Sequence, residues 1–504
     1  MKEENRDCGV LLHITSLPGP YGIGEIGKEA MSFIDKLHEM DQRFWQFLPT
    51  NYPALHNSPY DTNSAFAQNP LLLSLDSLIK DDLLNNQDLK KIPSFNHKKV
   101  EFGKLKEWKL PLLDKAVNNF LLNSDHGELD KFHQFCQKND FWLESYALFM
   151  VIKELQKNSN WSDWETKYRN LDVVALKEIS NTHDLQIKYI KVLQFLFYKQ
   201  WIHIREYAKA KNVQLIGDVP IYVSYNSADV WANQKLFRLN EDGKMKYQSG
   251  CPPDLWSDTG QAWGHPTYNW EAHEQTKFTW WIDRIENLTN YVDIIRIDHF
   301  NGFAKYWEVN ASDSNGVNGK WLKGKGDQLF KIAFNKLDGL NLIAEDLGDA
   351  WKDAAVLRNK YSIPGMHILQ FSFHDNNPFD NMENNMVAYT GTHDNDTLLG
   401  FYQTIDNKSY RYLQKALLGR DSTKQISDFN DEEINWRMIE YCLKSNASMV
   451  IVPMQDILCL DSNSRMNTPA TVSDKNWTWR IDISKLTNDR ILKMKMITKN
   501  AGRS

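Results

Sequence analysis

The sequence lacks any apolar run long enough to cross a membrane, because charged and polar residues interrupt every hydrophobic stretch. Residues 1–7, MKEENRD, carry mostly charge, so the apolar core of a secretion signal is missing there. Basic residues are interspersed with acidic ones at a net charge of −6, which argues against nucleic acid as a partner. We therefore expect a cytoplasmic protein with no membrane or nucleic-acid partner.

Cysteine is also scarce, and its spacing is uninformative. The five residues are odd in number, widely separated and without a CxxC pair: Cys8, Cys136, Cys251, Cys442 and Cys459. This excludes a disulfide framework, a cysteine zinc site and a dithiol redox motif. Cys251 has no basic neighbour in sequence to activate its thiol, so a thiol nucleophile is not expected. A phosphate-cradling glycine motif is missing as well.

Aromatic residues, in contrast, are plentiful. The chain of 504 residues contains 18 Trp, 20 Tyr and 24 Phe, and 42% of it is hydrophobic, enough for a large core. Trp and Tyr combine an apolar ring with a polar edge, so they suit half-wet surfaces. A cleft that binds sugars would use them.

Eight short apolar runs predict buried parallel strands, since a strand covered on both faces shows continuous hydrophobicity. These runs are residues 9–13, 44–48, 213–223, 294–300, 342–347, 366–373, 387–390 and 449–454. Helical spacing of apolar residues lies between several of them, as at Phe197, Trp201 and Ile204, or Phe330 and Ala333. Alternating strands and helices predict an α/β protein of the (β/α)8 TIM-barrel class.

A bare barrel of this class needs about 250 residues, so roughly half of the chain must be insertions. We predict one catalytic domain over residues 1–504, with a mostly helical insertion at 75–190. A second, loop-rich insertion at 224–276 would contain an active-site lid.

Four acidic residues fall at or beside the ends of predicted strands, where a barrel builds its active site. They are Asp218, Asp298, Glu345 and Asp394. Any one of them alone is more often a helix cap or an ion-paired structural residue. Four on four strands favour a catalytic rim.

Arg296 and Asp298 are two residues apart on one strand, so their side chains share a face. The guanidinium can hold Asp298 ionised, as a carboxylate nucleophile requires. Glu345, on a neighbouring apolar strand, would stay protonated as a general acid. Two such carboxyl groups about 5–5.5 Å apart are the machinery of retaining glycoside cleavage.

The cluster of His393, Asp394 and Asp396 has two interpretations. Imidazole and carboxylates gather around divalent ions, which predicts a metal site. Alternatively, His393 and Asp394 hydrogen-bond sugar hydroxyls, and His299 plays the same part. The chain offers no further cluster with metal-ligand spacing, which favours the second interpretation and predicts no metal.

Residues 250–266 combine turn formers with Trp256 and Trp263, which predicts a surface loop. Each of these Trp residues either packs beneath the loop or stacks on a sugar. Tyr60, in the NSPY sequence at 57–60, is open to the same two interpretations: floor of a sugar subsite or cap on the barrel.

An ordered series of motifs resembles glycoside hydrolase family 77, the 4-α-glucanotransferases called amylomaltases or disproportionating enzymes, in the α-amylase clan. The motifs are GVLLH at 9–13, SLPGPYGIG at 16–24, SPY at 58–60, GDVPI at 217–221, PPD at 252–254, TGQAWG at 259–264, RIDHF at 296–300, AEDLG at 344–348, YTGTHDNDT at 389–397 and RMNTP at 465–469. The resemblance covers most of the chain but is weak at 75–190 and 405–440.

The resemblance implies that Asp298 is the nucleophile, Glu345 the acid/base and Asp394 the transition-state stabiliser. It implies sugar contacts for Tyr60, Asp218, Arg296, His299, His393 and Asn467, and an acceptor-side loop carrying Asp254, Gln261 and Trp263. It also implies inserted subdomains on the barrel, no C-terminal β-sandwich domain and no cofactor.

The expected function is transfer of α-1,4-glucan segments between maltooligosaccharides or amylose, with glucose also an acceptor, by a retaining double displacement. Two alternatives are an α-amylase-like hydrolase with the same carboxyl groups and a non-catalytic glucan-binding protein. We expect a monomer or a weak homo-oligomer.

Overall fold

The computed structural model describes residues 6–54, 56–253, 257–373, 379, 382–419 and 422–503. Twelve strands run through this part of the chain: β1 Asp7–Leu11, β2 Phe44–Gln46, β3 Gln214–Pro220, β4 Tyr247–Cys251, β5 Gln261–Pro266, β6 Ile294–Asp298, β7 Lys305–Asn310, β8 Lys320–Lys323, β9 Leu342–Ala344, β10 Gly365–Ile368, β11 Met386–Tyr389 and β12 Met449–Pro453.

The α-helices in the same ranges are α1 Lys28–Glu39, α2 Leu75–Lys80, α3 Phe102–Asn123, α4 His126–Lys138, α5 Asp140–Leu155, α6 Thr166–Arg169, α7 Val173–Thr182, α8 Asp184–Ala210, α9 Ala228–Ala232, α10 Trp270–Gln275, α11 Thr279–Thr289, α12 Asn301–Ala304, α13 Gly326–Lys336, α14 Trp351–Lys360, α15 Leu369–Ser372, α16 Leu398–Thr404, α17 Asn407–Leu418, α18 Asp431–Leu443, α19 Met454–Ile457 and α20 Asn488–Asn500.

Eight strands form one parallel sheet in the order β10-β11-β12-β1-β2-β3-β6-β9. The two end strands approach each other, and the backbone N–H of Ala344 donates to the carbonyl of Pro364 at 2.9 Å. The sheet thereby curls into a (β/α)8 barrel, and the predicted fold class is confirmed. Each of the eight strands overlaps one of the apolar runs of the sequence.

The barrel helices follow from apolar spacing. Phe197, Trp201 and Ile204 all lie buried on α8, and Phe330 and Ala333 are buried on α13. On each helix this apolar stripe faces the protein interior, which removes large side chains from water. The helical predictions at these two places are confirmed.

One strand prediction is wrong at its end. The run at 366–373 was expected to be a single strand, but β10 ends at Ile368 and α15 follows directly. Leu369 and Gln370 are buried although they are helical, so continuous burial alone could not separate strand from helix here.

A second sheet is antiparallel, in the order β5-β4-β7-β8, and it includes part of the segment predicted as loop. Residues 250–266 hold the end of β4 and all of β5, so the interpretation of this segment as a surface loop is wrong there. Gly250 suggested a turn in the sequence, but in the structure a Cβ atom there would lie 2.1 Å from the carbonyl oxygen of Gln261. This glycine allows a close approach of two strands rather than a turn.

Helices α2 to α7 and the first turns of α8 lie within residues 75–190. The division of the chain into one catalytic domain with two insertions stays a prediction. After β12 the described residues 454–503 contain helices and irregular segments, with no strand among them. None of the described helices has the length and apolar character that a membrane crossing would need.

Candidate active site

Arg296 is the centre of a charged cluster at the C-terminal end of the barrel strands. One terminal nitrogen, Nη1, lies 2.5 Å from Oδ2 of Asp218 and 3.2 Å from Oδ1 of Asp298. The other, Nη2, lies 3.1 Å from Oε2 of Glu345. One guanidinium therefore contacts three carboxyl groups that come from three adjacent strands.

Strand register explains this convergence. Asp218 on β3 pairs with Arg296 on β6, and Ile297 on β6 pairs with Ala344 on β9. Glu345 follows Ala344 directly, so the parallel alignment brings it level with Asp298. The prediction that Arg296 and Asp298 share a face is confirmed by their contact.

Burial shapes the acidity of the central pair. Burial, and then the negative charge of Glu345, raise the pKa of Asp298 well above its usual range, although Arg296 opposes the shift. Burial likewise raises the pKa of Glu345 against the opposing charge of Arg296. Arg296 thus acts in the direction expected for an ionised Asp298, and burial acts against it. The two carboxyl groups also act on each other through charge and a hydrogen bond, so their acidity belongs to the pair.

His299 fixes one oxygen of Glu345. Its backbone N–H donates to Oε2 of Glu345 at 2.6 Å. The residue adopts a left-handed backbone conformation with φ of 48°, which costs an L-residue roughly 1–2 kcal/mol. Its ring packs edge-on against Trp263, with centroids 4.9 Å apart. Trp263 in turn donates from Nε1 to Oε1 of Gln261 at 3.1 Å.

Tyr60 links the charged cluster to the opposite wall of the site. Its hydroxyl donates to Oδ2 of Asp218 at 2.7 Å, and its ring stacks on His393 with centroids 5.2 Å apart. Burial lowers the pKa of His393, so the imidazole is neutral at neutral pH. Nε2 of His393 lies 3.4 Å from Oδ2 of Asp394. Asn467 donates from Nδ2 to Oδ1 of Asp394 at 2.7 Å.

The predicted site residues that the structure describes thus form one continuous network of contacts, from Gln261 on the second sheet to Asn467. The predicted Asp254 and the neighbouring Trp256 lie outside the described residues. The sequence analysis missed three further members, which are Tyr222, Arg465 and Trp477. Tyr222 lies beside Trp263 and His299, Arg465 donates to the carbonyl of Asp394 at 2.9 Å, and Trp477 packs on Tyr60 and His393.

The three residues weighed as metal ligands do not converge. The carboxylate of Asp396 accepts from the Ser462 hydroxyl and from the backbone N–H of Thr397, each at 2.8 Å. His393 and Asp394 lie in the sugar-site network instead. In the ranges that the structure covers, no group of three or more His, Cys, Asp or Glu side chains could hold a metal ion.

Fold and site together define a class of protein: a (β/α)8 enzyme with a buried carboxyl pair at the strand ends, the equipment of glycoside cleavage. The family model described as Glyco_hydro_77, 4-alpha-glucanotransferase, matches residues 12–486. The chain belongs to this family of 4-alpha-glucanotransferases. Its activity is accordingly the transfer of α-1,4-glucan, and the alternatives of a hydrolase or a non-catalytic binding protein are set aside.

Relatives match over nearly the whole chain. A 4-alpha-glucanotransferase of Aquifex aeolicus is 39% identical over 481 residues, covering 94% of this chain and 95% of the relative. The chloroplastic/amyloplastic 4-alpha-glucanotransferase of Solanum tuberosum is 41% identical over 493 residues, covering 95% of this chain and 83% of the relative.

Solved structures agree with the fold. An amylomaltase from Streptococcus agalactiae in complex with acarbose is 36% identical, with a TM-score of 0.92 over 99% of this chain and 100% of that chain. An amylomaltase from Corynebacterium glutamicum is 17% identical, with a TM-score of 0.81 over 98% of this chain and 75% of that chain. At this identity the likeness concerns the fold alone.

Proposed function

We propose that Asp298 and Glu345 carry out the transfer as a double displacement. An oxygen of Asp298 attacks the anomeric carbon, the glycosidic C–O bond breaks, and Glu345 gives its proton to the departing 4-oxygen. The acceptor's 4-hydroxyl then attacks the anomeric carbon, its proton passes to Glu345, and the bond to Asp298 breaks. Two inversions leave the configuration retained.

The observation that carries this proposal is the contact of one guanidinium with three carboxyl groups. Arg296 compensates part of the negative charge that burial makes costly at Asp298 and Glu345. The reaction needs one proton on the pair. It must reside on Glu345 when Asp298 attacks, and binding of the sugar against Asp298 would favour that placement.

Asp394, His393, Tyr60, Asp218 and Asn467 would bind the sugar that is being transferred. Oδ1 of Asp218 is buried and has no hydrogen-bond partner within the described part of the chain. A buried carboxylate oxygen without a donor is costly, and a sugar hydroxyl would supply the donor. Asp394 would stabilise the positive charge that develops as the sugar flattens.

Gln261, Trp263 and His299 would form the acceptor side, together with Asp254. Transfer requires that a glucan hydroxyl outcompetes water, and an aromatic platform beside Glu345 serves that purpose because it binds a sugar ring and excludes solvent. The substrates we propose are maltooligosaccharides, amylose and glucose, in the metabolism of starch, glycogen or maltodextrin. We also propose a cytoplasmic protein, monomeric or weakly oligomeric, that needs no cofactor.

Incubation with maltotriose tests the assignment. The protein should produce glucose and a ladder of longer maltodextrins, and Asp298→Asn should abolish both. The matched control is Asp293→Asn, an acidic residue just before β6, at the other end of the strand, whose carboxylate accepts from the backbone N–H of Leu215 at 2.8 Å. Transfer by Asp298→Asn at the control's rate would reject the nucleophile, and reducing ends that rise without chain extension would contradict transfer.

A further inference from the structure

The barrel closes at a thin seam between β9 and β10, the two end strands of the sheet order. The backbone bond across it runs from the N–H of Ala344 to the carbonyl of Pro364. Two residues further on, the N–H of Met366 donates to a side chain, Oδ1 of Asp346, at 2.9 Å. A carboxylate thus occupies the place that a strand carbonyl takes in an ordinary ladder.

Arg358 holds this carboxylate from outside the barrel. Its Nε donates to Oδ2 of Asp346 at 2.5 Å, and each of the two side chains is only 6% exposed. The guanidinium reaches β11 as well, because Nη2 lies 3.3 Å from the sulfur of Met386. A Cβ atom on Gly365 would lie 2.6 Å from both Nε of Arg358 and Oδ2 of Asp346, so this glycine leaves the space in which the pair sits.

Glu345 precedes Asp346 and is fixed to the other neighbouring strand. Its N–H donates to the carbonyl of Ile297 at 3.1 Å, and its carbonyl accepts from the N–H of Phe300 at 3.0 Å. Successive residues of an extended chain point to opposite faces. The Glu345 side chain therefore enters the carboxyl cluster, while Asp346 faces α14. The end of β9 is held on one side by the backbone of Glu345 and on the other by the side chain of Asp346.

We propose that Asp346 and Arg358 are positioning residues for the acid/base group. Their ion pair closes the seam and fixes the end of β9, which keeps the Glu345 carboxyl within reach of Arg296 and of the His299 N–H. This inference rests on the proposed role of Glu345. Asp298 lies on β6, whose five-residue pairing with β3 holds it apart from its three-residue pairing with β9. Loosening the seam should therefore impair proton transfer more than nucleophilic attack.

Two glucosyl donors, one that needs a proton to react and one that does not, separate proton transfer from nucleophilic attack. Maltotriose needs a proton on its departing oxygen, whereas fluoride leaves α-maltotriosyl fluoride without one, and azide as acceptor needs no base. In the second reaction the C–F bond breaks, Asp298 bonds to the anomeric carbon, and azide then displaces Asp298. For Asp346→Asn we expect kcat on maltotriose to fall about tenfold or more, as for a reactive group displaced by a fraction of an ångström, and fluoride release with azide to stay within about threefold.

A second variant covers the case in which Asp346→Asn does not fold, since it leaves the Arg358 charge buried without its partner. Asp346→Glu keeps the charge and moves the anchor by one methylene group, and it should show the same split between donors. Equal losses on both donors, or no loss on either, in the variant that folds would overturn the proposal.

The matched control is Glu25→Gln, which breaks another buried ion pair. The side chains of Glu25 and its partner Lys109 are 3% and 0% exposed. This variant should lower stability without a split between donors, and a split of the same size would also overturn the proposal. Asp298→Ala should fail with maltotriose, and with the fluoride and azide it should give no azide of retained configuration, because a single direct displacement by azide inverts the anomeric carbon. Maltotriose transfer or an azide of retained configuration from Asp298→Ala would reject the underlying mechanism rather than the role of the seam.

Discussion

The side chain of Tyr60 makes two contacts of different kinds. Its hydroxyl donates to Asp218, and its face stacks on His393. Replacement by Phe keeps the stacking and removes the hydrogen bond, which leaves a buried carboxylate with one donor fewer. Removal of the hydroxyl oxygen therefore separates the contribution of the hydrogen bond from that of the stacking.

For Tyr60→Phe we expect kcat/KM on maltotriose to fall roughly 10- to 100-fold, as for a hydrogen bond to a charged group worth about 1.5–3 kcal/mol. Steady-state kinetics on maltotriose measure this fall in kcat/KM. Tyr21→Phe is the control, because its hydroxyl donates to Asp76 at 2.6 Å outside the site, and its kinetics should match the unmodified protein. An unchanged kcat/KM in Tyr60→Phe would show that the Asp218 contact does not serve the reaction.

The raised pKa values of Asp298 and Glu345 predict a dependence on pH that differs between donors. Because burial raises the pKa of both groups, the pair holds the proton for the departing oxygen to a higher pH than exposed carboxyl groups would, and loses it as the pH rises. With maltotriose, kcat/KM should therefore decline on the alkaline side. With α-maltotriosyl fluoride and azide this decline should be missing, since no proton is needed. The same alkaline decline with both donors would show that another group causes it.

The second sheet presents Gln261 and Trp263 on one strand, so its pairing matters for the acceptor side. A Cβ at Gly250 would collide with the carbonyl of Gln261 and displace β5 from β4. Overpacking of this kind costs about 1–3 kcal/mol. In Gly250→Ala we expect KM for a glucose acceptor to rise about tenfold on that scale, and the share of hydrolysis to increase.

Gly103→Ala is the control for this prediction, because a Cβ at Gly103 meets nothing within 4 Å. Labelled glucose measures transfer, and free reducing ends measure hydrolysis. If Gly250→Ala has the transfer-to-hydrolysis ratio of the control, the second sheet does not form the acceptor side.

The barrel strands could be predicted from the sequence, whereas the second sheet could not. Parallel strands buried on both faces give continuous apolar runs. The antiparallel strands are short, partly exposed and rich in Gly, Ser and Gln, so β4 and β5 resemble loop in composition. The acids of the site were predictable because parallel strands present their C-terminal ends at one rim.

Contacts made by distant loops were beyond the sequence. Trp477 and Arg465 follow β12, yet they reach Tyr60 and Asp394. Nothing in their spacing indicates which strand end they approach. The net pKa shift of Asp298 was also beyond the sequence, because the burial that opposes Arg296 depends on the whole rim.

At the scale of the whole molecule, Arg503 joins the two ends of the described chain. Its buried guanidinium donates to the carbonyls of Leu443, Ser445 and Ala447, and at 3.3 Å to that of Asp7 on β1. These bonds connect the segment after α20 to the approach to β12 and to β1, which are neighbouring barrel strands. The side chain thus ties the C-terminal segment to the end of the barrel remote from the active site.

Arg503→Ala should lower the free energy of unfolding by about 3 kcal/mol, because several buried carbonyls lose a charged donor. Urea denaturation measures this, and kcat at 25 °C should stay unchanged. Lys499→Ala is the control, since its exposed ion pair with Asp41 at 3.4 Å should contribute less than about 1 kcal/mol. Equal midpoints for the two variants would contradict the prediction.

One guanidinium facing three carboxyl groups also has a consequence for the balance of charge along the reaction. Even with one proton retained, the cluster of Asp218, Asp298, Glu345 and Arg296 keeps an excess of negative charge before any sugar arrives. A neutral glucan at rest gains little from that excess. A sugar whose anomeric carbon has become partly cationic gains much more, and this difference in affinity between the two states is the source of catalysis.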